Sequence, residues 1–249
     1  MKKLLCVLGA LLVACSALTA PAPTRLTAPP IPAMATALAA TIALVTLKGD
    51  LLVCAGQYVG PNEVLTAAHC LTESTTGRVA GFEGAKVKWY TWESWRKAAS
   101  GNTPTPAWGS VIRIERADLA VLRADLPSPV WVTRALPPNE FDLVFAVGHP
   151  RGGLYTISFG RILDPHYEHA VLGDCVAAIV PVWFGSSGGG LYNWRGRLIG
   201  VTSRMQAAGS VSTLAFFVPV YSSAAVTETH KLGISKTPGP TELKHATLP

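Results

Sequence analysis

The amino-acid sequence predicts an all-β chain, folded as an antiparallel sandwich or as barrels, and three observations carry that reading. Apolar residues make up 49% of the 249 positions, enough to fill a sizeable core, while only 14% are charged. From Thr41 onward the chain reads as short β-branched and aromatic runs, broken by turn residues roughly every eight to fifteen positions. Gly (23) and Pro (19) recur without a period, which excludes collagen, a coiled coil and a fully disordered chain. The formal charge of +6 is scattered rather than gathered in one patch, so nucleic acid is not an expected partner.

Lys2-Lys3 followed by the apolar run Leu4 to Ala14 has the charged and hydrophobic regions of an export signal. That run is too short to cross a hydrocarbon core about 30 Å thick, so residues 1–14 are read as a signal peptide. Its end, Leu12-Val13-Ala14-Cys15, resembles the lipobox of bacterial lipoproteins, which implies lipidation of Cys15 and anchoring to a membrane. Ordinary cleavage near Ala17 is the other reading. The expected location is therefore the cell envelope through a lipid anchor, or the periplasm or medium. Residues 15–40 read as a Pro/Ala-rich tether, because Pro21, Pro23, Pro29, Pro30 and Pro32 stand among Ala and Thr and favour an extended spacer.

Strands are predicted at 42–47, 51–59, 64–67, 85–92, 110–115, 118–123, 143–148, 155–162, 176–180, 197–203 and 213–220. The clearest hairpin joins Leu51 to Ala67 through Gly60-Pro61-Asn62-Glu63, where Pro and Asn supply the turn. Residues 231–249 are polar and Pro-bearing, and read as a disordered tail.

Three segments hold the chemistry. In Leu65-Thr66-Ala67-Ala68-His69-Cys70 a histidine stands on the turn that ends a strand. In Ala117-Asp118-Leu119-Ala120-Val121-Leu122 an acid opens an apolar strand. In Gly185-Ser186-Ser187-Gly188-Gly189-Gly190 a serine sits among glycines that let the backbone turn tightly and bring N–H groups close to a substrate. In this chain order they resemble the TAAHC, DLAL-like and GDSGG-like motifs of the trypsin-like serine proteases of the chymotrypsin fold, over roughly residues 41–225. The closer likeness is to the HtrA-type bacterial branch. Val147-Gly148-His149-Pro150-Arg151-Gly152 looks like its GNPFG segment, Gly185 to Gly189 like GNSGG, and Ala215-Phe216-Phe217-Val218-Pro219 like GFAIP.

The resemblance implies two six-stranded antiparallel barrels, at 41–135 and 136–230, with the active site in the cleft between them. The separations of 49 residues from His69 to Asp118 and 69 from there to Ser187 fit that division. HtrA-type proteases carry PDZ domains after the catalytic one, and too few residues follow Tyr221 here, so the protease module alone is expected. The implied activity is a serine endopeptidase acting on protein or peptide substrates, with no cofactor and no metal. Ser187 would be the nucleophile, His69 the general base and Asp118 its orienting acid, with the N–H groups of Gly185 and Ser187 as the oxyanion hole. Asp125, Asp142, Asp164 and Asp174 are rival acids. The alternative reading is an inactive homologue that binds peptides.

Of the cysteines outside the signal, Cys54 and Cys70 have the spacing of the family's disulfide at the histidine turn, leaving Cys175 as an inert core thiol. By the same resemblance Pro181, Val182, Ser203 and Phe216 wall the primary specificity pocket. Pro181 stands where enzymes that cut after Lys or Arg carry Asp, and Thr202 where glutamate-specific members place His. The expected preference is for small or medium aliphatic residues. His166 and His169 are too isolated to predict a zinc site. Trp89, Trp92 and Trp95 read as packing of a strand and its following turn on the first barrel.

Overall fold

Each of the eleven predicted strands has a counterpart among the twelve of the computed structural model, which describes residues 29–45, 52–71, 84–115, 117–208 and 211–221. The signal peptide, Cys15 and the C-terminal tail lie outside the described residues. β1 (Thr41–Val45), β2 (Leu52–Tyr58), β3 (Glu63–Ala67), β4 (Lys86–Thr91), β5 (Ala107–Glu115) and β6 (Leu119–Ala124) close a first antiparallel barrel in the order β1-β2-β3-β6-β5-β4. A second is closed by β7 (Leu143–Gly148), β8 (Thr156–His169), β9 (Gly173–Ile179), β10 (Gly190–Asn193), β11 (Leu198–Ala208) and β12 (Val211–Pro219), in the order β10-β11-β12-β9-β8-β7. β10 escapes the sequence pattern because it is four residues long and opens directly from the glycine run. β8 runs seven residues past its predicted end, and its pairing with β9 shifts register around Asp164 and Pro165, where a proline cannot donate to the ladder.

Two helices depart from the all-strand reading. Residues 31–40, read as part of the extended spacer, form helix α1 (Ile31–Ala40). Pro32 stands in its first turn, where the missing N–H is no loss, and the alanines that follow are strong helix formers. Ala37 and Ala40 are buried, and Gly196 lies close enough to Ala33 that a Cβ there would sit 3.0 Å from it. The Ala-rich stretch is thus docked on the barrels rather than held off them. The helix α2 (Trp92–Ala98) starts at Thr91, whose hydroxyl accepts the Ser94 N–H at 3.2 Å.

The tryptophans divide their labour. Trp89 is fully buried, donates its indole N–H to the Tyr58 hydroxyl at 3.2 Å, and lies over Gly109, where any side chain would overlap its ring. Trp95 packs on Tyr90, while Trp92 reaches the second barrel and meets Tyr155 edge to face with ring centroids 5.0 Å apart. One apolar cluster runs through both barrels: Ile42, Leu65, Trp89 and Leu122 from the first join Phe145, Val147, Tyr192 and Val218 from the second. This shared core fixes one barrel against the other and with it the walls of the cleft.

Candidate active site

β3 delivers the chain into a 3-10 turn, Ala68–Leu71, and His69 stands on it. Besides the bonds of His69 itself, two ties hold the turn. The Ala68 N–H donates to the Asp118 carbonyl at 3.0 Å, and a disulfide joins Cys70 to Cys54 on β2 across 16 residues. The pairing implied by the sequence is therefore present. Cys54, His69 and Cys70 cluster, but both sulfurs are consumed by the disulfide and offer no thiolate to a metal.

Asp118 precedes β6 with φ of +61°, a conformation rare for a residue with a side chain. Its partners over-determine that backbone. Oδ1 accepts the His69 backbone N–H at 2.9 Å, and Oδ2 accepts from His69 Nδ1 at 2.8 Å and from the Ser203 hydroxyl. A carboxylate only accepts, so Nδ1 carries the proton of that hydrogen bond. Burial pushes the Asp118 carboxyl up, but the hydrogen bonds from His69 and Ser203 outweigh it and hold the group below its usual value. The rival acids are engaged elsewhere: Asp125 with Lys86 at 2.8 Å, Asp142 with the Asn139 N–H, Asp164 with the His166 N–H, and Asp174 with His166 at 3.5 Å.

Ser187 is half-buried on the loop that enters β10. Its carbonyl accepts the Ala55 N–H of β2 at 2.7 Å, which stitches the loop to the first barrel. Gly188, at φ +79°, lies against the Ala55 carbonyl and the Thr66 hydroxyl, three residues before His69; a Cβ would overlap both. Gly185, at φ +97°, is pressed in the same way against the His149 carbonyl. Gly189 is crowded as well, against the Val147 carbonyl, but within the run only Gly185 and Gly188 combine such crowding with a left-handed backbone. Among the described residues neither the Gly185 nor the Ser187 N–H donates to a backbone carbonyl. Ser186 is buried and bonded only locally, its N–H to the Trp183 carbonyl at 2.8 Å.

The four residues expected to wall one pocket do not share a surface. Ser203 turns its hydroxyl onto Asp118 and so belongs to the acid's shell. Pro181 is exposed. Val182 packs with Val180, Ala215 and Phe217 inside the second barrel, whereas Phe216, one residue along β12, points to the other face among Leu172, Cys175 and Ala177. Strand alternation separates neighbours 216 and 217 in this way. The rings of Tyr167 and His169 cover Phe216. His169 Nδ1 also accepts the Val171 and Leu172 N–H groups, and His166 pairs with Asp174, so the two histidines serve separate local roles. Cys175 is 1% exposed, and burial pushes its thiol up to about 12.

One residue had no assigned role from its sequence pattern. His149, at the end of β7, is 2% exposed. Its Nδ1 accepts the Tyr155 N–H at 2.9 Å, so Nε2 carries the proton and donates to the Ile42 carbonyl of β1 at 3.1 Å. Burial pulls its pKa below the ordinary histidine value. It is a neutral clamp between the barrels, and its own carbonyl is the wall against which Gly185 rests.

The sequence profile of the trypsin-like peptidase domain matches residues 54–201. Among curated proteins none matches the chain in sequence. The HtrA-type protease AlgW, solved with a tripeptide, superposes with a TM-score of 0.61 at 20% identity over 80% of this chain. This chain spans 62% of that one. The Rv3671c protease of M. tuberculosis H37Rv, in an inactive form, gives 0.56 at 22% identity, covering 83% of this chain and 98% of that one. The MamO protease domain of Magnetospirillum magneticum gives 0.59 at 18%, covering 78% and 97%. These likenesses establish the fold, two six-stranded barrels of the chymotrypsin type. With a profile match across more than half its length, the chain belongs to the trypsin-like peptidase family.

Proposed function

We propose that the protein is a serine endopeptidase in which His69, Asp118 and Ser187 act as the catalytic triad. The observation that carries the reading is the pairing of His69 Nδ1 with Asp118, in a barrel to which the Ser187 loop is stitched through the Ala55 N–H. A serine hydroxyl is a weak nucleophile on its own. As its Oγ attacks the substrate carbonyl, His69 Nε2 takes the proton and Asp118 stabilises the imidazolium. The Gly185 and Ser187 N–H groups receive the oxyanion, a contribution worth on the order of a hundred- to a thousandfold per donor. His69 then gives its proton to the departing amine, and a water repeats the sequence to release the acyl group.

The substrate is a peptide that adds as a strand. β10 pairs with β11 only as far as Val201, and beyond Thr202 the cleft-side edge of β11 has no strand partner among the described residues. That edge would take the acyl side of the substrate. By resemblance alone, Pro181 stands where enzymes that cut after Lys or Arg carry Asp, and on that correspondence, not on a pocket that the structure assembles, cleavage after small or medium aliphatic residues is proposed. Export and a lipid on Cys15 belong to the same reading, and Cys15→Ser should move the protein from the membrane to the soluble fraction. The deciding experiment is labelling by a fluorophosphonate probe. Wild type should react and Ser187→Ala should not; an unlabelled wild type would make the protein an inactive homologue that binds peptides.

A further inference from the structure

The Ser187 loop spans the cleft from one wall to the other. On one side Gly188 donates to Thr202 of β11 at 2.8 Å; on the other Gly185 abuts His149, and the Phe184 carbonyl accepts the Arg151 N–H at 2.8 Å. A peptide laid across Ser187 with one arm on β11 therefore carries its other arm over residues 149–153 and 183–184. That second surface has a defined chemistry. Phe184, next to the oxyanion glycine, is 74% exposed, and its ring meets Trp183 edge to face at 6.0 Å. The Arg151 guanidinium lies 4.1 Å from the centre of the Trp183 ring. A stacked guanidinium keeps its N–H edge outward. Among the described residues no carboxylate forms an ion pair with it.

The backbone under Arg151 is costly to maintain. Arg151 lies at φ +52° and Gly152 at +80°, in a turn closed by the Gly152 and Gly153 N–H groups on the carbonyls of His149 and Pro150. Glycine would adopt the first of these positions without strain, yet arginine occupies it, and strain of this kind gathers where a side chain is put to use.

We propose that Arg151, stacked on Trp183 beside exposed Phe184, forms a subsite on the leaving-group side of the scissile bond and selects a substrate carboxylate there. The proposal rests on the endopeptidase reading and adds a charge preference to it. The ring pair gives the peptide an apolar ledge, and the guanidinium fork takes an Asp or Glu side chain.

The test uses two peptides alike up to the scissile bond and carrying Glu or Gln at the two positions after it. Wild type should cleave the Glu peptide with about fivefold higher kcat/KM, the scale of an exposed ion pair. Arg151→Gln should bring the ratio to about one, Arg151→Glu should invert it, and added salt should shrink it. A wild-type ratio near one, or a ratio unmoved by either substitution, overturns the subsite. Binding of the same peptides to Ser187→Ala separates the two claims. If wild type cleaves neither peptide the endopeptidase reading fails, while tighter binding of the Glu peptide still supports the subsite and equal binding overturns it.

Discussion

In the first barrel the turn bearing His69 is braced by a covalent bond, Cys54 to Cys70, and by the partners of Asp118. In the second, Ser187 stands on a loop with no disulfide; the cysteine of that barrel, Cys175, is a free buried thiol. Its brace is crowding, because Gly185 and Gly188 lie so close to carbonyl oxygens that one methyl group would not fit. In the chain-entropy account a cross-link acts chiefly on the unfolded chain, and the hydrogen bonds to Asp118 still hold the folded turn when it is lost. A steric brace acts on the folded state alone and tolerates nothing added. The acid–base half should therefore fail gradually and the nucleophile half abruptly.

The largest effect should come from removing one member of the triad in either barrel. Ser187→Ala and His69→Ala should each lower turnover by about a millionfold, and the double variant scarcely further. Turnover losses that multiply would mean that the barrels contribute separately and would dissolve the triad. Next comes Gly188→Ala, which forces a Cβ into the Ala55 carbonyl at a positive φ. It should cost about 2–4 kcal/mol in denaturant titration, with hydrolysis falling on the order of a hundredfold. Full activity in this variant would show that the loop has slack. Replacing both Cys54 and Cys70 by Ser should cost about 3 kcal/mol in the chain-entropy account while turnover below the melting range stays within a few fold. A loss of turnover matching that of Gly188→Ala would erase the contrast between the barrels.

The smallest effect lies at the clamp between the barrels. The pKa of His149 is depressed in the folded chain, so the unfolded chain takes the proton first. The stability it contributes is complete above its ordinary value near 6.5 and is lost as pH falls toward the lower folded value. Thermal melts of wild type should decline over that window, and His149→Asn should flatten the decline. Asp118, also depressed, acts in the carboxylate range and leaves this window untouched.

The strands and the pairing of His69 with Asp118 were legible because each leaves a local mark: alternating apolar runs bounded by turns, and motifs whose spacing the fold preserves. What was not legible depends on pairings distant in sequence. Nothing in the neighbourhood of Ser203 says that its hydroxyl turns to an acid 85 residues away, and pocket walls read by position missed that residue 216 faces away from 182. His149 was visible as a histidine in an otherwise apolar strand end, but its partners lie on β1 and beyond a turn. Helix α1 was masked by its prolines, which signal a spacer when counted and a helix start when one is placed in the first turn.

That helix also bears on how the protein takes mechanical load. α1 ends at Ala40 and β1 begins at Thr41, with no slack between them. A pull on the chain ahead of Ile31 passes through α1 to β1, which is bonded to β2 on one edge and to β4 on the other. To move β1 it must break the ladder bonds of both edges. α1 is held by two buried alanines and a few partly buried side chains, fewer ties than β1 has, and should peel first. Its unwinding would add length and relax the force before Ile42, the anchor of His149, is drawn out of register. The helix is thus a fuse between the N-terminal chain and the site.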